Sequence, residues 1–355
     1  MNLDKLVVVF DSPTDTYYAG QNVTGQVQLL LMGPKKIRSL QIKFVGKGEV
    51  KWSEQVKIEG RTQLENIVYS DDEEYYTFKY NLAGGGNSEL HLPPGQHNFS
   101  FAACLPPGLP ASFEGDRGFV RYSVTATLER PWNSSEYATA IFTVISPIDL
   151  NYNPLAKAPV HMDVEKSFCC CWCRSGPLQL VLAIPHSGWV PGQAIPLTLE
   201  LDNASNVTVT NLIVKLEKVL DWKARNPQPN QCRDRVELSK LTLPGVEPGG
   251  SKSWCQLLPI PSVATFNLDQ CTIINCSYAL TAKAVVGGCH TNLTMEVPVF
   301  LGTVPFYEAG PTDAPSAPPP PTNASIGFNL DASQWCYPSM TTPLLPTQNG
   351  FRAAQ

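Results

Sequence analysis

The densest run of chemically capable side chains is Phe-Cys-Cys-Cys-Trp-Cys at residues 168–173. Cys170 and Cys173 have the Cys-x-x-Cys spacing that zinc and thiol redox sites use. A structural zinc site takes two separated ligand pairs, and the next cysteine along the chain, Cys232, has no close second. A redox Cys-x-x-Cys sits in a βαβ frame, which the surrounding pattern lacks. Cys169, Cys170, Cys171 and Cys173 are therefore read first as small apolar residues packed where a domain begins. Reversible palmitoylation beside a membrane is the alternative. No metal site and no cofactor are expected.

Catalytic arrangements are missing as well. His91, His97, His161, His186 and His290 are scattered, with no His-Glu-x-x-His and no close Cys–His pair. Gly84–Gly86 and the Pro-Gly-Gln turns lack the strand–loop–helix frame of a phosphate cradle. No hydroxyl has an identifiable base, so no catalytic residue is assigned and an enzyme is not expected.

Charge offers a binding site instead. Lys35, Lys36, Arg38, Lys43, Lys47, Lys51 and Lys57 stand against Glu49 and Glu54, in a chain of net charge −5. Lys43, Lys47 and Lys51 fall on the solvent side of one strand. The plain reading is a solvated sheet face that pairs with the acidic run Asp71–Glu74. The functional reading is a patch for phosphorylated tails or anionic lipid. Near the carboxyl terminus, Tyr337-Pro-Ser-Met340 has a tyrosine-x-x-apolar pattern of the kind adaptors read as an added strand. Pro318–Pro321 could serve as a polyproline II ligand.

The elements that must carry these residues are strands. Val120, Tyr122, Val124, Ala126 and Leu128 alternate with polar residues, as do Leu40, Ile42, Phe44, Gly46, Gly48, Val50 and Trp52. No long 3.6-residue apolar period occurs, charged residues are only 16%, and prolines number 32. That composition is all-β with many turns. The plan is repeated: Trp189-Val-Pro-Gly-Gln-Ala-Ile-Pro-Leu echoes Tyr18-Ala-Gly-Gln-Asn-Val-Thr-Gly-Gln, and the Ile274–Ala282 alternation echoes Val120–Leu128. Two tandem β-sandwiches are expected at residues 1–147 and 176–306. Residues 148–175 would connect them, and 307–355 would form a disordered proline-rich tail.

Compartment signals conflict. Eight Asn-x-Ser/Thr sequons, at Asn22, Asn98, Asn133, Asn203, Asn206, Asn275, Asn292 and Asn323, suit a glycosylated extracellular receptor fragment. The amino-terminal apolar run is too short for a signal peptide, and no run is long enough for a membrane-spanning helix. Cys104 is the sole cysteine of the first 150 residues, which can therefore form no internal disulfide. A cytosolic protein is the expectation. The acidic balance argues against nucleic-acid binding.

Pro-Pro-Gly-Leu-Pro-Ala-Ser-Phe-Glu-Gly (106–115), the run from Gly118 to Trp132, Phe-Thr-Val-Ile-Ser-Pro-Ile-Asp-Leu-Asn (142–151), the run from Tyr17 to Val27 and Val-Phe-Leu-Gly-Thr-Val-Pro (299–305) carry a resemblance. In these stretches the chain resembles the arrestin-domain-containing proteins, the α-arrestins. The resemblance implies two tandem immunoglobulin-like sandwiches (the arrestin fold). It implies an adaptor between cytoplasmic tails of membrane cargo and endocytic sorting machinery, peripherally associated with plasma membrane and endosomes. α-Arrestins typically recruit HECT-type ubiquitin ligases through Pro-Pro-x-Tyr, which is absent here: Tyr307 and Tyr337 lack the two prolines. Ligase recruitment would then pass through another α-arrestin or a contact on the sandwiches. An endosomal coat scaffold like the retromer arrestin-fold subunit is the alternative within the fold.

Overall fold

A computed structural model describes residues 3–57, 64–86, 89–132, 134–170, 173–174 and 176–307. The amino-terminal half consists of β1 (Leu3–Phe10), β2 (Thr16–Tyr18), β3 (Asn22–Leu31), β4 (Lys35–Ile37) and β5 (Ser39–Lys57). It continues with β6 (Leu64–Gly84), β7 (Leu90–Leu92), β8 (Gly95–Cys104), β9 (Phe113–Gly115), β10 (Gly118–Glu129) and β11 (Glu136–Ile145). After a 3-10 turn at Leu150–Tyr152 and the short helix α1 (Pro154–Lys157) come β12 (Val160–Lys166), β13 (Cys169–Cys170), β14 (Cys173–Arg174) and β15 (Leu178–Ile184). The remainder is β16 (Gly188–Trp189), β17 (Ala194–Asn203), β18 (Val209–Ala224), β19 (Asn230–Val246), β20 (Ser251–Pro259), β21 (Ile274–Val286) and β22 (Leu293–Leu301).

These strands make two β-sandwiches in tandem. In the first, a sheet ordered β1-β3-β8 faces one ordered β2-β11-β10-β5-β6, with β9 on β10. In the second, β12-β15-β17-β20 faces β16-β22-β21-β18-β19. The alternation read from the sequence has the expected cause: Val120, Tyr122, Val124, Ala126 and Leu128 are wholly buried. The Tyr122 ring occupies space that a side chain at Gly46 would take, since a Cβ there would lie 2.4 Å from the ring. Its hydroxyl donates to the Pro110 carbonyl at 2.6 Å.

The internal repeat is real down to hydrogen bonds. Gln21 closes a turn in which its N–H donates to Tyr18 O (3.0 Å) while its side-chain oxygen accepts from Tyr18 N (2.8 Å). Gln193 does the same with Val190, at 3.2 and 2.9 Å. Gly20 and Gly192 both sit at φ 90°, a conformation that costs glycine nothing and other residues a great deal. Each turn follows a short strand, β2 or β16, that pairs in parallel with the last strand of its own sandwich.

Residues 160–166, inside the stretch read as connector, are an edge strand of the second sandwich, paired along their length with β15. Asn203 is wholly buried, its amide donating to the carbonyls of Val207 (2.8 Å) and Val246 (3.1 Å). A glycan cannot be attached to that sequon in the folded state. Cys104 is held in a disulfide, whereas Cys232, Cys255, Cys271, Cys276 and Cys289 are free thiols. No helix among the described residues is long and apolar enough to cross a membrane.

The first core extends beyond the first sandwich. Leu220, Trp222, Ala224, Leu268, Cys271, Ile273 and Ile274 come from the second half of the chain and pack into it. Two long hairpins make this possible. The far part of β5–β6 leans on the far part of β18–β19, and Ser70 and Asn226 exchange main-chain bonds of 3.0 and 3.2 Å. The segment 260–273 straps across the same junction: Ala111 N–H donates to Asn267 O (2.8 Å), and Phe266 meets Phe113 edge-on at 5.0 Å.

Candidate functional site

Strand β5 lies between β6 and β10, so its outward residues form the central row of an exposed sheet face. Lys43, Lys47 and Lys51 are all exposed there. From Lys43 to Lys51 the row runs about 26 Å at strand spacing. Lys43 stands between Lys79 of β6 and Thr125 of β10. Lys47 stands between Glu74 and Arg121, and its ammonium reaches Glu49 at 3.3 Å. Arg121 in turn grips Glu114 with two bonds of 2.6 and 2.8 Å and covers the Phe119 ring at 3.7 Å.

Lys35, Lys36 and Arg38 are elsewhere, beyond the Ser39 end of β5. Lys35 and Lys36 belong to the β4–β7 ribbon, where Lys36 pairs with Glu89 at 3.7 Å and the Lys35 ammonium is buried without a hydrogen-bond partner among the described residues. The main chain of Arg38 bonds Glu129 O and Gly85 N–H, tying three loops together. Six of the seven cations thus form a row of three on the sheet and a group of three at its end, and Lys57 is the last residue of β5. Lys79 and Arg121 join the row. Sequence reasoning missed both because they come from other strands, and only strand pairing brings them alongside.

Half of the acidic run, meanwhile, is spent on the domain junction. Asp71 is buried and accepts from the Arg225 side chain (2.6 and 2.9 Å) and backbone N–H (3.1 Å). Those bonds hold its carboxyl below the usual range against the opposing effect of burial. Glu73 accepts from Thr272 N (3.0 Å), the Thr272 hydroxyl and the Tyr75 hydroxyl. The Tyr75 oxygen also lies 2.9 Å from the Cys271 sulfur, and burial pushes its own pKa upward. Asp72 and Glu74 face outward, opposite Glu49 and Lys47. Lys43 and Lys79, directly opposed across two strands, have no acidic partner among the described residues.

A second ion pair crosses the junction. Arg117 grips Asp234 at 2.7 and 3.1 Å, lowering the carboxyl's pKa, and Trp222 Nε1 donates to the same carboxylate at 2.7 Å. Glu54 accepts from Asn230 at 3.1 Å.

Of the cysteine cluster, the backbones of β13 and β14 pair as a two-residue ribbon, Cys170 opposite Cys173. Cys171 and the side chains of Cys169, Cys170 and Cys173 lie outside the described residues, as do Tyr337 and Met340. No group of three or more metal-ligating side chains occurs among the described residues.

Known proteins share this arrangement. The arrestin (or S-antigen) amino-terminal domain matches residues 6–151, and its carboxyl-terminal domain matches residues 174–306. The chain is 28% identical over 319 residues to arrestin domain-containing protein 17 of Caenorhabditis elegans, covering 86% of this chain and 72% of that protein. It is 28% identical over 308 residues to arrestin domain-containing protein 4 of Homo sapiens, with the same coverage of 86% and 72%. With arrestin domain-containing protein 1 of Rattus norvegicus it is 24% identical over 313 residues, covering 88% of this chain and 66% of that protein. Two tandem sandwiches, matched in order by both arrestin domains, make this chain an arrestin-like adaptor and a member of the α-arrestin family.

Proposed function

We propose that the chain is a cytoplasmic adaptor that binds acidic or phosphorylated tails of membrane cargo on the outer face of β5 and links them to endocytic sorting at plasma membrane and endosomes. The observation that supports this reading is the opposed pair Lys43 and Lys79, left without counter-charge while Asp71 and Glu73 turn to the domain junction. Like charges directly opposed on a sheet are destabilising. An anion seated between the two ammonium groups removes that repulsion and adds charge-assisted hydrogen bonds. The tail beyond residue 307 would recruit trafficking machinery. Without Pro-Pro-x-Tyr, it would hold isolated WW domains of HECT-type ligases feebly, and any ligase would arrive through another α-arrestin or the sandwiches.

The test is reversal of Lys43, Lys47, Lys51 and Lys79 to glutamate. Each exposed change should alter stability by no more than about 0.5 kcal/mol. Binding of a fluorescent phosphorylated tail peptide should weaken at least roughly tenfold at low salt, where such contacts are strongest. Undiminished binding with an intact fold removes the reading.

A further inference from the structure

In the first sandwich the outermost strands β6 and β8 face each other across the side of the fold, and tyrosine hydroxyls bridge them. Tyr80 donates its hydroxyl proton to Ala102 O at 3.1 Å and accepts from Ala102 N–H at 3.0 Å. Tyr76 donates to Cys104 O at 3.1 Å. A single phenol oxygen therefore does for Ala102 what a neighbouring strand would do.

The direction of those bonds identifies which main-chain groups of β8 point away from β3. Groups at Ala102 and Cys104 point outward. With a strand period of two, so do those of Ser100, Asn98 and Gln96. Leu105, out of phase with this set, bonds back to Gln21. The outward N–H and C=O groups of Asn98 and Ser100 meet no protein partner among the described residues. An unpaired edge of this kind is a template for another strand.

We propose that the β8 edge is a strand-addition site for an extended, uncharged peptide segment, and that Tyr80 and Tyr76 are the latch that limits it to residues 96–100. The chemistry of the partner follows from the surroundings. Gln96, Asn98, Ser100, Tyr76, Phe78 and Tyr80 carry no charge, so main-chain pairing supplies the affinity. Phe78 lies between the two tyrosines on the core-facing side of β6, 44% exposed, its ring 6.4 Å from Phe44 and 5.5 Å from Tyr80. When the phenols swing aside, the ladder lengthens through Ala102 to Cys104, and an apolar side chain of the incoming strand covers Phe78. The site is distinct from the lysine row, which faces outward from the opposite side of β5 and β6.

The probe is a fluorescein-labelled heptapeptide of alternating threonine and valine, read by anisotropy against the full chain. A second copy of the peptide is N-methylated at every other amide. The unmodified peptide should bind the native chain. Tyr80→Phe, which removes the competing hydroxyl, should tighten it roughly 3- to 10-fold. Ser100→Pro deletes an outward N–H that the fold does not use, so it should abolish binding while the melting temperature stays put. The N-methylated peptide, which tests the same pairing without altering the protein, should not bind. Absence of binding to the native chain, equal binding of the methylated peptide, or binding that survives Ser100→Pro overturns the strand-addition site. Unchanged affinity in Tyr80→Phe overturns the latch. None of these outcomes bears on Lys43 or Lys79, so this site and the cargo-tail face stand or fall separately.

Discussion

Replacing Trp222 by alanine tests whether the two sandwiches unfold as one body. Trp222 belongs to the second half of the chain yet is wholly buried in the first core, 6.0 Å from the Phe113 ring. A Cβ on Gly115 would lie 2.6 Å from its Cη2, so the indole is seated against bare backbone. A buried tryptophan covers about 150–250 Å². At about 25 cal/mol per Å² that is roughly 4–6 kcal/mol of transfer free energy, near the 3–5 kcal/mol measured for large-to-alanine changes in cores. We expect a loss of about 4 kcal/mol, a fall in Tm of about 8–16 °C for a domain of this size, and separation of the calorimetric transition into two. Trp254→Ala is the control. Trp254 is buried in the second core and should lower stability without dividing the transition. A Trp222→Ala protein that melts as a single transition within about 3 °C of the parent would refute the account of the junction.

Three further outcomes follow from the same contacts. A double-mutant cycle on Arg117→Ala and Asp234→Ala should give a coupling energy of about 1–1.5 kcal/mol in urea unfolding; the side chains are 32% and 31% exposed, which keeps it at the low end for charged pairs. A coupling near zero would remove this ion pair from the contacts that hold the junction. Arg225 and Arg117 hold the carboxyls of Asp71 and Asp234 below their unfolded values. Their contribution to stability is therefore complete above the ordinary carboxylate range and disappears as pH falls through that range to the lower folded values. Asp71→Asn with Asp234→Asn should flatten that part of the stability–pH curve, and an unaltered slope would contradict it. Tyr122→Phe leaves the buried Pro110 carbonyl without its donor and should cost about 1–3 kcal/mol, read as a shift in urea midpoint.

The strands that carry the fold were legible because their periodicity is strict. β5, β10 and β21 keep alternate residues apolar over their length, and the Gly-Gln turns announce the duplication. β12 escaped notice because its apolar residues, Val160, Met162 and Val164, are half-buried on an edge strand and end in Lys166. The domain junction was not legible at all. Trp222, Arg225 and Asp234 are unremarkable in sequence, and their partners Phe113, Asp71 and Arg117 lie more than a hundred residues away. The acidic run was visible, but its direction was not: nothing local tells that Asp71 turns toward Arg225 while Glu74 faces Lys47.

The two sandwiches are copies of one plan, and the comparison between them bears on which face binds. In the second sandwich the outer side of the β18–β19–β21–β22 sheet is also charged, and several of its charges pair with one another, although Lys240 stands directly opposite Lys215 with no ion pair of its own among the described residues. Lys215 meets Glu237 at 2.6 Å, Arg233 meets Asp221 at 2.5 Å, and Arg235 lies between Glu217 and Glu296 at 3.3 and 2.8 Å. Thr281 adds a bond to Glu217 at 2.8 Å. Residues paired in this way gain little from an arriving ion, which would have to break existing pairs. The corresponding face of the first sandwich has Lys43 opposite Lys79, and its nearest acidic run is committed in part to the junction with the second sandwich.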